Sequence, residues 1–130
     1  MRLDDLFAMT EDCFLAAFTG AKVTYSQGNL CEVVVDEASI FGLQDCIVGL
    51  TFLNGSVIEV SISRQHERQK HFSRRNILKS TIKSISKVLK KRPTYNIFTG
   101  WHSWRVGHFI LKYCFYEHFL YEENIIIKHK

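Results

Sequence analysis

The sequence predicts an α+β domain in which a small antiparallel sheet packs against two or three helices. Residues 46–63 form two strand-like runs around Asn54-Gly55, a dipeptide typical of tight β-hairpins. Residues 72–91 carry apolar side chains at helical spacing. The chain has 130 residues, of which 46% are hydrophobic and 23% charged, and this composition suits one globular domain and excludes a disordered chain.

The opening segment, residues 3–18, repeats apolar side chains at three- and four-residue steps and therefore predicts helix. Thr10 can cap a helix that begins with Glu11 and Asp12, and Gly20 is a natural stop. The pattern leaves two alternatives open: one helix with a break near Thr10, or two short helices.

Strands are expected next. Residues 22–25 predict a short strand before a turn at residues 27–29, and the β-branched, apolar residues 30–35 predict a second strand. Residues 36–45, which include Gly42, are expected to form a loop.

The hairpin at residues 46–63 has two conceivable registers. A two-residue loop would place Leu50 opposite Glu59, whereas a three-residue loop at residues 53–55 would place it opposite Ile58. The second register makes one face uniformly apolar, so burial favours it. Its further pairs are Val48 with Val60 and Cys46 with Ile62.

A helix over residues 72–91 is the clearest helical prediction, with Ser73 as its N-cap and Pro93 closing it. The apolar stripe is centred on Leu78, with Ile82, Ile85 and Leu89 beside it and Ile77 and Val88 on its flank.

The C-terminal part is rich in aromatic residues, since residues 95–121 hold ten of the seventeen in the chain. Residues 103–121 fit a helical stripe and are interpreted as helix, but aromatic side chains also favour sheets, so a strand alternative remains. Residues 125–127 predict a short terminal strand.

The net charge of +4 is unevenly distributed. Residues 1–65 carry three basic and nine acidic side chains, whereas residues 66–130 carry fourteen basic and four acidic ones. Such asymmetry indicates an anionic partner, or neutralisation of one half of the chain by the other.

The basic side chains of the predicted helix are the main functional candidates. Like charges four residues apart disfavour a helix, and no acidic residue lies between Lys70 and Arg92 to relieve them. A polyanion would reward such a face, which predicts binding of nucleic acid phosphates with weak sequence preference. The alternatives are a solvated or internally neutralised face, or a membrane or other anion. The predicted nucleic-acid-binding residues are Arg74, Arg75, Lys79, Lys83, Lys87, Lys90 and Lys91.

Trp101, Trp104 and Arg105 are the predicted stacking or interface residues. Tryptophan can stack on bases beside a basic groove, and Trp and Arg are also enriched in protein interfaces. The second functional hypothesis is therefore a protein-partner module: an inhibitor, adaptor or regulator of a larger nucleic-acid-processing assembly, of a kind found in mobile elements.

An enzyme is not expected, because no nucleophile motif or phosphate-binding glycine loop is present. No metal or other cofactor is predicted; Cys114 and His118 share a helical spacing, but no second ligand pair accompanies them. The four cysteines are interpreted as reduced, buried thiols. No membrane span and no targeting segment are recognised, and a cytoplasmic location is expected. The sequence predicts no oligomeric state.

Overall fold

A computed structural model describes residues 3–67, 74–117 and 119–130. The described residues form an eight-stranded antiparallel sheet and three helices. The strands are β1 (Lys22–Gln27), β2 (Leu30–Ile40), β3 (Leu43–Leu53), β4 (Ser56–His66), β5 (Thr94–Tyr95), β6 (His102–Val106), β7 (Phe109–Glu117) and β8 (Tyr121–His129). The helices are α1 (Leu3–Phe7), α2 (Glu11–Ala17) and α3 (Arg74–Leu89).

The strand order is β1-β2-β3-β4-β8-β7-β6-β5. Strands β1 to β4 form one meander and β5 to β8 form a second, and the two meanders join where β4 pairs with β8. Helix α3 lies between β4 and β5 in the chain, so the connection runs from the middle of the sheet to its far edge.

The predicted fold class is wrong, because the sheet is large and spans nearly the whole chain. In the range 103–121, interpreted as helix, residues 103–106 belong to β6, residues 109–117 form β7, and Tyr121 begins β8. The error has a physical cause: Leu111, Tyr113 and Phe115 alternate on the buried face, while neighbouring apolar residues such as Ile110 and Cys114 occupy the other face and imitate a helical stripe.

The predicted loop at residues 36–45 is also wrong. Strand β2 continues to Ile40, and a tight turn leads directly into β3 through Phe41 and Gly42, whose φ angles are 54° and 75°. A phenylalanine in the left-handed region is unusual, so the sequence gives little sign of this turn. Irregular pairing near Ala38 further interrupts the alternation that would have indicated strands.

The hairpin of β3 and β4 differs from the predicted register. Its loop is the two-residue turn Asn54-Gly55, with both φ angles positive, and Phe52 pairs with Val57. A bulge follows, so that Leu50 pairs with Val60. The bulge keeps both the favoured turn and the apolar face, and it leaves Ile58 exposed.

The N-terminal segment confirms the two-helix alternative. Thr10 is the N-cap of α2, and its hydroxyl accepts a hydrogen bond of 3.2 Å from the Cys13 amide. Leu6 of α1 and Phe14 of α2 are fully buried in the core.

The core lies on one face of the sheet, beneath the three helices. Alternate residues of the central strands, such as Val48, Val60, Leu111 and Ile127, supply most of it. The opposite face carries no helix among the described residues and is called here the open face.

Candidate nucleic-acid interface

Helix α3 is held on the sheet by a face centred on Thr81. Ile77, Thr81 and Ile85 are buried, while Val88, expected on the flank of the apolar stripe, is half exposed. The buried face is therefore rotated from the predicted centre at Leu78, because the polar Thr81 contacts Arg64 of the sheet at 3.1 Å. The predicted helix start and its cap, Ser73, lie outside the described residues.

The predicted basic residues, here called the basic ridge, lie mostly on the opposite side of α3 and in the turn after it. Arg74 is the exception, because it precedes Thr81 by seven residues and therefore lies on the same side of the helix as Thr81. All seven are exposed: Arg74, Arg75, Lys79, Lys83, Lys87, Lys90 and Lys91. Within residues 3–67, 74–117 and 119–130, no carboxylate forms an ion pair with any of them. The acidic half of the chain thus does not neutralise the ridge through direct pairing.

A left-handed residue and three hydrogen bonds at the C-terminal end of α3 fix Lys90 and Lys91, the last residues of the basic ridge. Lys90 adopts the left-handed region with a φ of 55°, and the Lys91 amide donates to the Ser86 carbonyl at 3.2 Å. The Trp104 indole donates to the Lys91 carbonyl at 3.1 Å, and the Lys91 ammonium donates to the Arg105 carbonyl at 2.6 Å. This end of the ridge is therefore attached to β6.

The helix dipole favours the positions of only some of the cations in the basic ridge. Cations are favoured near a helix C-terminus, which suits Lys87, but they are disfavoured near an N-terminus. The described helix begins with Arg74 and Arg75 and has no acidic residue in its first turn. Arg74 lies 5.7 Å from the ring centroid of Phe115, which positions one of these two guanidinium groups.

The three predicted stacking or interface residues separate in the structure. Trp104 is completely buried, so it has no surface for stacking, and its role is to hold the end of α3. Trp101 is half buried at the open face, and Arg105 is exposed.

A cavity of about 460 Å³ lies on the open face beside Trp101. Its walls include Lys112 of β7 and Lys128 of β8, together with Ser103. Neither lysine is recognisable as a candidate from the sequence alone, because their common position depends on the pairing of β7 with β8.

A second cluster that the sequence analysis missed is buried between α3 and the sheet. The Glu123 carboxylate is 2% exposed. It accepts from Arg64 Nε at 3.0 Å and from the Tyr113 hydroxyl at 2.5 Å, and it lies 2.6 Å from His66 Nε2. These side chains meet because every second residue of β4, β7 and β8 points toward the helices.

The cluster keeps Glu123 ionised. Burial acts to raise the pKa of this carboxyl, but hydrogen bonds with Thr81, Tyr113 and His66 and the charge of Arg64 outweigh it and hold the pKa below its usual range. The pKa of Tyr113 is raised by burial and by the adjacent negative charge of Glu123, so its hydroxyl remains a donor.

The cysteines and histidines show no assembled metal site in the part of the chain that the structure describes, where no three His, Cys, Asp or Glu side chains are grouped for a metal ion. His118, the proposed partner of Cys114, lies outside that part. The four cysteines are all free thiols; Cys31, Cys46 and Cys114 are buried as predicted, whereas Cys13 is exposed. Burial raises the pKa of the Cys46 thiol, which disfavours its reactive form.

Each helix of the described residues is too short or too polar to cross a membrane. Comparisons of the chain with protein-family models, with curated proteins and with solved structures gave no match.

Proposed function

We propose that this protein is a non-enzymatic binding protein whose basic ridge engages the phosphates of nucleic acid. The observation that carries the proposal is the exposure of all seven cations without an ion pair to any described carboxylate. Successive lysines four residues apart on α3 have Cβ atoms about 6 Å apart, so the ridge is a continuous line of positive charge.

Stability alone gives no reason for this pattern. Lys79 and Lys83 lie mid-helix, away from the C-terminal turn where cations are favoured, and Arg74 and Arg75 lie at the end where cations are disfavoured. A bound polyanion would relieve the repulsion and would release counterions for each neutralised phosphate.

The test is a titration of labelled double- and single-stranded DNA and RNA at several salt concentrations. We expect binding at about 50 mM salt, with an affinity that falls steeply as salt increases and depends weakly on sequence. Replacing Lys79, Lys83 and Lys87 by Gln is expected to reduce the salt slope by about one for each lysine.

Lys22→Gln is the matched control, because Lys22 is an exposed lysine on β1, at the sheet edge opposite β5. It should leave both affinity and salt slope unchanged. Failure of the wild-type protein to bind any of the four polymers at about 50 mM salt would end the proposal.

A protein-partner module remains the second candidate, and one observation favours it. The loop between β5 and β6 presents Ile97 and Phe98, which are 75% and 92% exposed. Asn96 fixes the loop, since its side-chain oxygen accepts from the Phe98 amide at 2.9 Å and its carbonyl accepts from the Gly100 amide at 2.8 Å. A preorganised apolar tip of this kind is typical of interface anchors.

Purification of tagged protein from the source cells distinguishes this candidate. A stoichiometric protein partner that survives nuclease treatment and is lost in Phe98→Ser supports the module. Recovery of the same partner with Phe98→Ser excludes the tip as its anchor.

A further inference from the structure

We propose that the open-face cavity is a nucleotide-binding subsite in which a base lies against the Trp101 indole and a phosphate lies between Lys112 and Lys128. The inference rests on the proposed function in one respect: the nucleotide is taken to be part of a single-stranded nucleic acid.

The sheet register places the cationic groups together. Lys128 is directly opposite Ile110, and Lys112 is directly opposite Ile126, so the two lysines are diagonal neighbours on one face. Diagonal positions of an antiparallel pair are about 7–8 Å apart, close enough for both long side chains to reach one phosphate. Ser103, opposite Lys112 on β6, adds a hydroxyl.

The chemistry of the cavity selects an anionic, planar ligand. Its lining combines the half-buried Trp101 indole with two lysines and includes no carboxylate. Glu59 forms an ion pair with Lys128 at 3.1 Å, but both side chains are partly exposed. Such a surface ion pair contributes little energy, so a phosphate can replace Glu59 as the partner of Lys128. Ile110 and Ile126 form an apolar floor suited to a sugar. A volume of about 460 Å³ lies within the range of small-ligand sites.

The cavity is also connected to the basic ridge. Arg105 is exposed on β6 and pairs with Ile110, which lines the cavity, and its carbonyl accepts from the Lys91 ammonium. Strand β5 pairs only with His102 and Ser103 among the described residues, so the Arg105 end of β6 is an open edge. A single-stranded nucleic acid bound at the basic ridge can therefore follow Lys91 and Arg105 around this edge of the sheet. A rigid duplex cannot bend so sharply without a large energetic cost.

The experiment compares cavity and ridge variants on two probes, a short oligothymidine and a DNA duplex, by fluorescence anisotropy at about 50 mM salt. We expect Trp101→Ala to weaken single-strand binding by roughly tenfold, the size of one lost stacking contact, and to leave duplex binding within about twofold. Lys112→Glu should act in the same sense, whereas Lys79→Glu should weaken both probes.

Lys22→Glu is the control of matched charge change, and circular dichroism checks that each variant is folded. Single-strand affinity unchanged in Trp101→Ala and Lys112→Glu overturns the subsite. If Lys79→Glu still weakens binding in that case, the proposed function survives the failure of the subsite.

Tryptophan fluorescence separates a free nucleotide from a nucleic acid strand. The chain has two tryptophans and Trp104 is buried, so quenching by thymidine monophosphate reports on Trp101. If the protein binds neither the oligothymidine nor the duplex, the proposed function fails. Quenching by thymidine monophosphate in the wild type, together with its loss in Lys112→Glu, then supports a site for a free nucleotide. The absence of both quenching and polymer binding overturns the subsite as well.

Discussion

Removal of the Arg64 guanidinium tests whether the buried cluster around Glu123 stabilises the fold. Arg64→Met leaves a carboxylate that is 2% exposed without its permanent positive partner. Breaking a buried ion pair in this way costs about 3–5 kcal/mol. Arg64 is 18% exposed, and His66 remains within 2.6 Å to supply a donor, so we expect the lower end, about 3 kcal/mol.

Urea denaturation at neutral pH, followed by circular dichroism, measures this loss. Glu123→Leu combined with Arg64→Met should cost about 2 kcal/mol less than the sum of the two single variants, because no buried charge is then left alone. Glu59→Gln provides the control: its pair with Lys128 is partly exposed and should contribute less than about 1 kcal/mol. A stabilising role of the buried ion pair is excluded if Arg64→Met is no more destabilising than Glu59→Gln, or if the losses of the two single variants simply add.

Three further predictions concern stability. Because the pKa of Glu123 is lowered in the folded state, its contribution to stability is fully present above the unfolded-state pKa of about 4.3 and is lost as pH falls through the lower folded-state pKa. The melting temperature of Glu123→Gln should therefore depend less on pH, over an acidic series, than that of the wild type. Lys90→Gly should raise stability by about 1 kcal/mol, since Lys90 has a φ of 55°, whereas Lys87→Gly, within regular helix, should lower it by a similar amount. If thermal denaturation shows that both variants change stability in the same direction, the left-handed conformation at Lys90 is contradicted. Thr10→Ala should cost about 1 kcal/mol through loss of the α2 cap, and Thr10→Ser should restore most of it; a Thr10→Ala melting curve that overlays the wild type would exclude the cap as a stabilising contact.

Some local signals could be interpreted from the sequence. The hydroxyl of Thr10 followed by two acidic residues indicated that a second helix could begin there, with a single broken helix as the alternative, and α2 begins there. The lysines of α3 were predicted to be exposed together, since helical spacing places them on one side, and they are. Their binding role stays a prediction.

The extent of the sheet could not be predicted because its turns and bulges are concealed in the sequence. Phe41 adopts a conformation that usually requires Gly or Asn. The bulge at Ile58 lets the two-residue turn coexist with the pairing of Leu50 with Val60, which neither register expected from the sequence contains. The cluster around Glu123 depends on contacts between residues 57 and 59 positions apart, so no local pattern could indicate it. The cavity lysines were missed for the same reason, because their neighbourhood follows from the pairing of β7 with β8.

The strand order has a consequence for biosynthesis. Strand β8 joins the two meanders, yet a ribosome makes it only after every strand that it contacts. Until β8 emerges, the edge of β4 that faces away from β3 is unpaired beside an incomplete core, and such an edge is a site for association with other nascent chains. We therefore expect the two meanders to pair into one sheet only after translation of residue 129. A chaperone that shields the edge of β4 should increase the yield of folded protein.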